Sequence, residues 1–125
     1  MSIATDHTGI EIPQLNEGEI YAGAIIAPDG MGHHFILLQE RPKVGTWDAA
    51  MEWAKSIGGD LPDRIEQALL HKHLPDQFLK DWYWSSEQHA ANSDGAWCQG
   101  FDYGNQYTNG KSAKLRARAV RRLAI

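Results

Sequence analysis

The chain predicts an α+β domain whose helices are grouped together rather than alternating with strands. Three observations carry that expectation. Ile20–Ile26 and residues 34–38 are apolar runs joined across Pro28-Asp29-Gly30, the pattern of a hairpin. Two helix starts with side-chain caps follow, at Thr46 and Asp63. After them come short apolar runs separated by Gly, Asn, Asp and Ser, the pattern of an antiparallel meander. With 125 residues, 42% of them hydrophobic, one domain with a genuine core is expected.

Residues 1–19 are polar and carry Pro13, so they read as an arm or a short edge segment, and residues 20–125 as the domain. In the first helix Trp47, Ala50, Trp53, Ala54 and Ile57 share one face, and Asp48, Glu52 and Lys55 the other. Gly58-Gly59 supplies its stop. Asp63 and Glu66 have the spacing of a capping box. That second helix is expected to run to about His71, to bury Ile65, Ala68 and Leu69, and to end before Pro75. Strands are expected at 83–85, 96–101 and 115–123, with turns at 92–95 and at Gly104-Asn105.

Side-chain alternation assigns faces within these strands. Trp84 is expected inside, and Tyr83, on the other face, exposed or hydrogen-bonded. On the next strand Trp97, Gln99 and Phe101 are taken as the core face, which leaves Cys98, Gly100 and Asp102 facing outward.

The segment 82–107, WYWSSEQHAANSDGAWCQGFDYGNQY, is dense in Trp and Tyr spaced by Asn, Gln, Ser, Gly and Asp. Rigid aromatics interleaved with small hydrogen-bonding residues make a recognition surface, and a plain core would carry more aliphatic residues. The expected contact set is Tyr83, Asp94, Cys98, Asp102, Tyr103, Asn105, Gln106, Tyr107 and Asn109.

A net charge of −4 gives no general reason to bind nucleic acid. The charge is uneven, with six Lys and Arg and no acid from Lys111 onward, and five acids and no Lys or Arg in residues 1–30. The two ends are therefore expected to lie together, with Arg116 and Arg118 paired to acids near the N-terminus. One cysteine excludes an intrachain disulfide and suits a reducing compartment. A basic stretch followed by an apolar run is missing, so no secretory signal is expected. No apolar run approaches the roughly 20 residues that span a bilayer, so no membrane insertion is expected.

Catalytic chemistry finds little footing. His33 and His34 point to opposite faces of a strand, and His71 and His73 stand two apart, which is not a metal-ligand spacing of known type. Asp94, Asp102 and Asn92 carry oxygens that calcium could use, but turn chemistry accounts for them more simply. Cys98 lacks any nucleophile signature, and a half-buried strand cysteine packs. There is no phosphate loop, serine elbow or metalloprotease helix. The expectation is no catalytic residue, no metal and no cofactor.

Four motifs in order, TWDAAMEWAKSIGGDLPDRIEQALL, DWYWSSEQ, AWCQGF and RARAVRRL, resemble a family of small phage and prophage proteins related to the Lcl C-terminal domain. The resemblance covers about residues 20–125. It implies a C-type-lectin-like fold: two helices packed on small antiparallel sheets, N- and C-terminal strands paired, and a long loop region that displays the ligand surface. Some relatives in this broad fold are targets of diversity-generating retroelements, whose varied surface would fall at 92–109. The calcium-binding triplets and the disulfides of the sugar-binding lectins are missing, and Leu74-Pro75-Asp76 does not replace them, so calcium-dependent sugar binding is not carried over. The resemblance implies a virion-associated module, made in the host cytoplasm, that binds a host-surface receptor, glycan or protein. The alternative is a structural or assembly protein that contacts another phage protein. Multivalency would multiply one small face, which is consistent with a homo-oligomer such as a trimer.

Overall fold

The computed structural model describes residues 10–39 and 43–125 in full, together with the backbone of Ala4–Thr5. Ten strands and two α-helices are present among them: β1 Ala4–Thr5, β2 Glu11–Ile12, β3 Ile20–Ile26, β4 Gly32–Leu37, β5 Lys43–Gly45, α1 Trp47–Ser56, α2 Arg64–His73, β6 Trp82–Gln88, β7 Gly95–Gly100, β8 Gln106–Gly110, β9 Leu115–Ala117 and β10 Val120–Ala124. The architecture is α+β, as expected. In the segment read as an arm, β1 pairs with β2, and the rest of that reading, at residues 1–3 and 6–9, lies outside the described residues.

Among the described residues three sheets form, with strand orders β1-β2, β10-β4-β3 and β5-β9-β6-β7-β8. The β3–β4 hairpin turns through Pro28-Asp29-Gly30, where Gly30 takes φ 86° and donates its N–H to Ala27 O. The last strand does not pair with β3. It lies on the other side of β4, Val120 opposite Leu37, so both ends of the domain flank one strand.

The single strand expected at 115–123 is two strands in two sheets. The break falls at Arg118-Ala119, where the chain crosses from the five-stranded sheet to the three-stranded one. Arg118 bridges the crossing by donating to Gln77 O at 2.7 Å and Leu38 O at 3.0 Å.

Helix α1 forms as its pattern predicts. Thr46 Oγ1 accepts from Ala49 N, and Gly58 at φ 86° follows the last turn. Ala50 and Ala54 are fully buried against Trp84, Ala96, Cys98 and Ala117 on one face of the five-stranded sheet. Trp84 Nε1 donates to Gly45 O and Trp47 Nε1 to Ser85 O, so the buried indole and the half-buried one both find acceptors.

Helix α2 has the capping box but turns the opposite face inward. Glu66, Gln67 and Leu70 are buried, whereas Ile65 is 62% exposed, Ala68 is exposed and Leu69 half-buried. At about 100° per residue the two sets lie on opposite sides of the helix. The cause is a set of charges. The Glu66 carboxylate receives Arg122 Nη2 at 2.6 Å, Arg122 Nε at 2.9 Å, His33 Nε2 at 2.9 Å and the Asp63 amide at 2.9 Å. Gln67 Nε2 donates to Trp84 O at 2.9 Å. The inner face of α2 is polar because it carries the hydrogen bonds between the two larger sheets. Beside it, Phe78 and Phe101 stack with centroids 3.9 Å apart, and Tyr83 meets both rings edge-on.

The arginines also pair differently from expectation. Arg116 binds Asp81 at 2.8 Å and Arg118 binds carbonyls, while Arg121 reaches the N-terminal acid Glu19 at 2.8 Å. The ends do neutralise, through Arg121.

Burial pushes the Glu66 carboxyl up, but Arg122, the Asp63 amide and His33 outweigh it and hold it below its ordinary 4.5. Arg121 and Arg116 likewise lower Glu19 and Asp81, whereas burial raises Asp63. A lowered carboxyl stabilises the fold above its unfolded pKa and stops doing so as pH falls through its folded value. Urea midpoints should therefore be flat at neutral pH and fall below about pH 4.5, with Asp63 opposing part of the loss. Glu66→Ala should cost about 2 kcal/mol at neutral pH, because it removes two charge-assisted bonds of Arg122 and leaves the guanidinium only Asp60 and the Leu61 carbonyl, and should flatten the acid limb.

Candidate functional site

The expected contact residues divide into three groups. Tyr83 and Cys98 are buried at 1% exposure, so neither belongs to a display surface. Tyr83 packs in the aromatic cluster and its hydroxyl accepts the Leu79 amide at 2.9 Å. Cys98 faces Trp84 and α1, with Sγ donating to Tyr107 O at 3.3 Å. The expectation failed because β7 is covered on both faces, by α1 on one side and α2 on the other, so alternation does not separate inside from outside. Conversely Trp97, taken as core, is only half-buried.

The second group is exposed. Tyr103 is 89% and Tyr107 58% exposed, and Asp94, Asp102 and Asn105 lie at the surface. Tyr103 sits at the tip of the turn between β7 and β8, its amide bonded to Asp102 Oδ1 at 2.7 Å. Tyr107 lies on the outermost strand of the five-stranded sheet and leans on Trp82, with centroids 5.5 Å apart. This strand replaces part of the expected long loop. Asp94 sits apart, in the Asn92 turn at the far end of β7, its amide bonded to Asn92 Oδ1.

The third group, Gln106 and Asn109, is half-buried on opposite faces of β8. Asn109 reaches Cys98 Sγ at 3.7 Å. Gln106 Nε2 donates to Gln99 Oε1 and to Arg64 O, both at 2.8 Å, and Gln106 Oε1 accepts from Arg64 Nε at 3.0 Å. Gln99 is itself buried and donates to Gly100 O and Asn105 O. The Arg64 guanidinium lies 3.5 Å over the Trp97 ring. This network ties the N-terminus of α2 to the start of β8.

Beside it opens a cleft of about 600 Å³. Ile65, Ala68 and Leu69 form its aliphatic wall, and Gln99, Gly104 and Gln106 face them. Arg64 and Glu87 stand at its rim, where Glu87 Oε2 accepts the Arg64 amide at 2.6 Å. Of this cleft the sequence pattern marked only Gln106. Its wall reads as core in the sequence because the residues are apolar at helical spacing. The signal that could have found it is the pair Glu66-Gln67 on the same helix, whose burial forces the apolar flank outward.

Among the described residues no group of three or more His, Cys, Asp and Glu is arranged to hold a metal ion, and no helix is long and apolar enough to cross a membrane. No protein-family model and no curated protein matches the chain.

Burial pushes the Cys98 thiol above its ordinary range, against the smaller pulls of Asn109 and Tyr107. A thiolate is the reactive form. Native protein at pH 7 should therefore resist a maleimide, and unfolded protein in urea should react at once. Equal labelling rates in the two states would show that β8 does not cover the sulfur.

Proposed function

We propose that this chain is a non-catalytic ligand-binding module, of the C-type-lectin-like kind that its four motifs resemble, which recognises a receptor on a bacterial surface as a virion or tail-fibre component. One observation carries the reading: Tyr103 stands 89% exposed on the β7–β8 turn, beside Asp102, Asn105 and the α2 cleft, and Tyr107 stands 58% exposed on the other face of β8. Large rings exposed with small hydrogen-bonding neighbours suit recognition, because they offer contact area at little rotamer cost. The Gln99–Gln106–Arg64 network supports that reading too, since it holds the segment rigid before a partner arrives.

A structural role against another virion protein is the second reading. It is favoured by β8, a strand at the edge of the sheet that carries no charged residue. Binding to whole host cells separates the two, since an assembly protein binds purified particles and not cells.

Alanine at Tyr103 or Tyr107 should weaken cell attachment on the order of tenfold, about 1.4 kcal/mol, and alanine at Asn105 by less. Thermal midpoints should stay within a few degrees, as for other surface changes. Attachment that falls only in step with thermal stability would sink the assignment.

A further inference from the structure

We propose that the β8 edge and the α2 cleft together bind an extended peptide segment of a partner protein, which adds as a further strand beside β8. The proposal rests on the recognition reading above and narrows its ligand from glycan or protein to protein.

The hydrogen-bond parity of the β7–β8 ladder supplies the first argument. Gly100 N donates to Asn105 O at 2.8 Å, and Lys111 N to Asp94 O at 2.9 Å. Both pairs keep the register that sets Cys98 opposite Tyr107. In an antiparallel ladder hydrogen-bonded pairs alternate with non-bonded ones. Asn105, Tyr107, Asn109 and Lys111 therefore turn their main-chain groups toward β7. Gln106 and Thr108 turn theirs away from the sheet. What an outward N–H and C=O pair two residues apart fits is another main chain.

The edge is also undefended. Proteins block such strands with Lys, Pro, bulges or very short lengths. Gln106–Gly110 reads QYTNG, and its five-residue register with β7 has no shift. The opposite edge of the same sheet, β5, has three residues and begins with Lys43.

The cleft supplies the side-chain half. An added strand projects alternate residues to the two faces of the sheet. One face is the side on which Gln106 meets Gln99 and Arg64, where the aliphatic wall of Ile65, Ala68 and Leu69 stands open. No aromatic ring lines this cleft, so it offers no stacking platform for a sugar. Its wall suits Leu, Ile or Val from a peptide. At the rim, Arg64 Nη1 and Nη2 and Glu87 Oε1 make no hydrogen bond among the described residues. Stacking on Trp97 fixes Arg64 in place. The rim therefore complements a peptide carrying charged residues beside its aliphatic one. On the other face, Tyr107 and Trp82 receive the intervening side chains.

The test begins with a displayed random-peptide library panned on the full chain. Enriched peptides are synthesised and their affinities measured. Ala68→Arg places a long charged side chain in the cleft from an exposed helix position. Thr108→Pro deletes an outward N–H without removing a bond to β7. N-methylation of alternate peptide amides is a third arm that leaves the protein untouched. Each should weaken binding roughly tenfold or more, and amide shifts on binding should centre on Gln106 and Thr108. Failure to enrich any peptide, or peptides indifferent to Ala68→Arg and to N-methylation, would overturn the proposal. So would binding to an immobilised glycan panel that Ala68→Arg abolishes, although that result leaves the recognition reading standing. Cell attachment insensitive to Tyr103→Ala and Tyr107→Ala removes the recognition reading instead.

Discussion

The buried carboxylate of Glu66 sets the arrangement of everything around it. It is fully buried and held by a bidentate guanidinium from β10, an imidazole from β4 and the amide that opens α2. Removing a carboxylate from water costs several kcal/mol, which only such a complete set of donors offsets. The helix therefore has one acceptable rotation about its axis. Any other would leave Glu66 in a core without partners, and Arg122 with Asp60 as its one remaining acid among the described residues. With Glu66 and Gln67 fixed inside, Ile65, Ala68 and Leu69 have nowhere to go but the flank. The apolar wall of the cleft is thus a consequence of an ion pair on the far side of the same helix.

A buried ion pair is weak evidence for stability, since apolar residues of similar volume often do as well in its place. Here the pair accounts for orientation. An aliphatic residue at position 66 would leave α2 apolar on both sides, and the helix could then roll to bury Ile65 and close the cleft. Gln67 works in the same direction, since its amide meets the Trp84 carbonyl only in the observed rotation. Two polar side chains spend burial energy on holding a groove open.

What the chain made legible was local. Thr46, Asp63 and Glu66 announced both helix starts, because a cap involves residues within three positions of one another. The β3–β4 hairpin was equally plain, since Pro28, Asp29 and Gly30 form a turn from their own dihedral preferences. The exposure of Tyr103 followed from a turn rich in Gly, Asn and Asp. The failures all required knowing what lies on the second side of an element. Tyr83 and Cys98 belong to strands with a helix on each face, where alternation has no outside to mark. Ile65 and Leu69 lost the core to hydrogen-bonding partners 33 and 56 residues from Glu66. The single run of 115–123 gave no sign that Arg118 would anchor a crossing between sheets, because its acceptors, Gln77 and Leu38, are remote in sequence.

The two halves of the candidate site depend on one residue of β8. Gln106 is where the edge strand begins, and its amide joins Gln99 below to Arg64 across the cleft mouth. The alternation of the β7–β8 ladder, not the Gln106 side chain, leaves its main-chain groups to the edge. Arg64 gives up one nitrogen to that amide and lies flat on Trp97, so its remaining nitrogens point from a fixed position rather than sweep through solvent. Fixing these groups in the free protein removes most of the ordering entropy that a mobile loop would have to lose on binding. The same rigidity explains how an uncharged strand with an exposed tyrosine can remain at a sheet edge. Its register cannot slip while Gln106 is held on two sides, and a strand that cannot slip offers its outward groups at a single spacing. In the proposed binding, selectivity for a partner would lie in the spacing of those groups against the cleft wall, whose place traces back to the fixed rotation of α2.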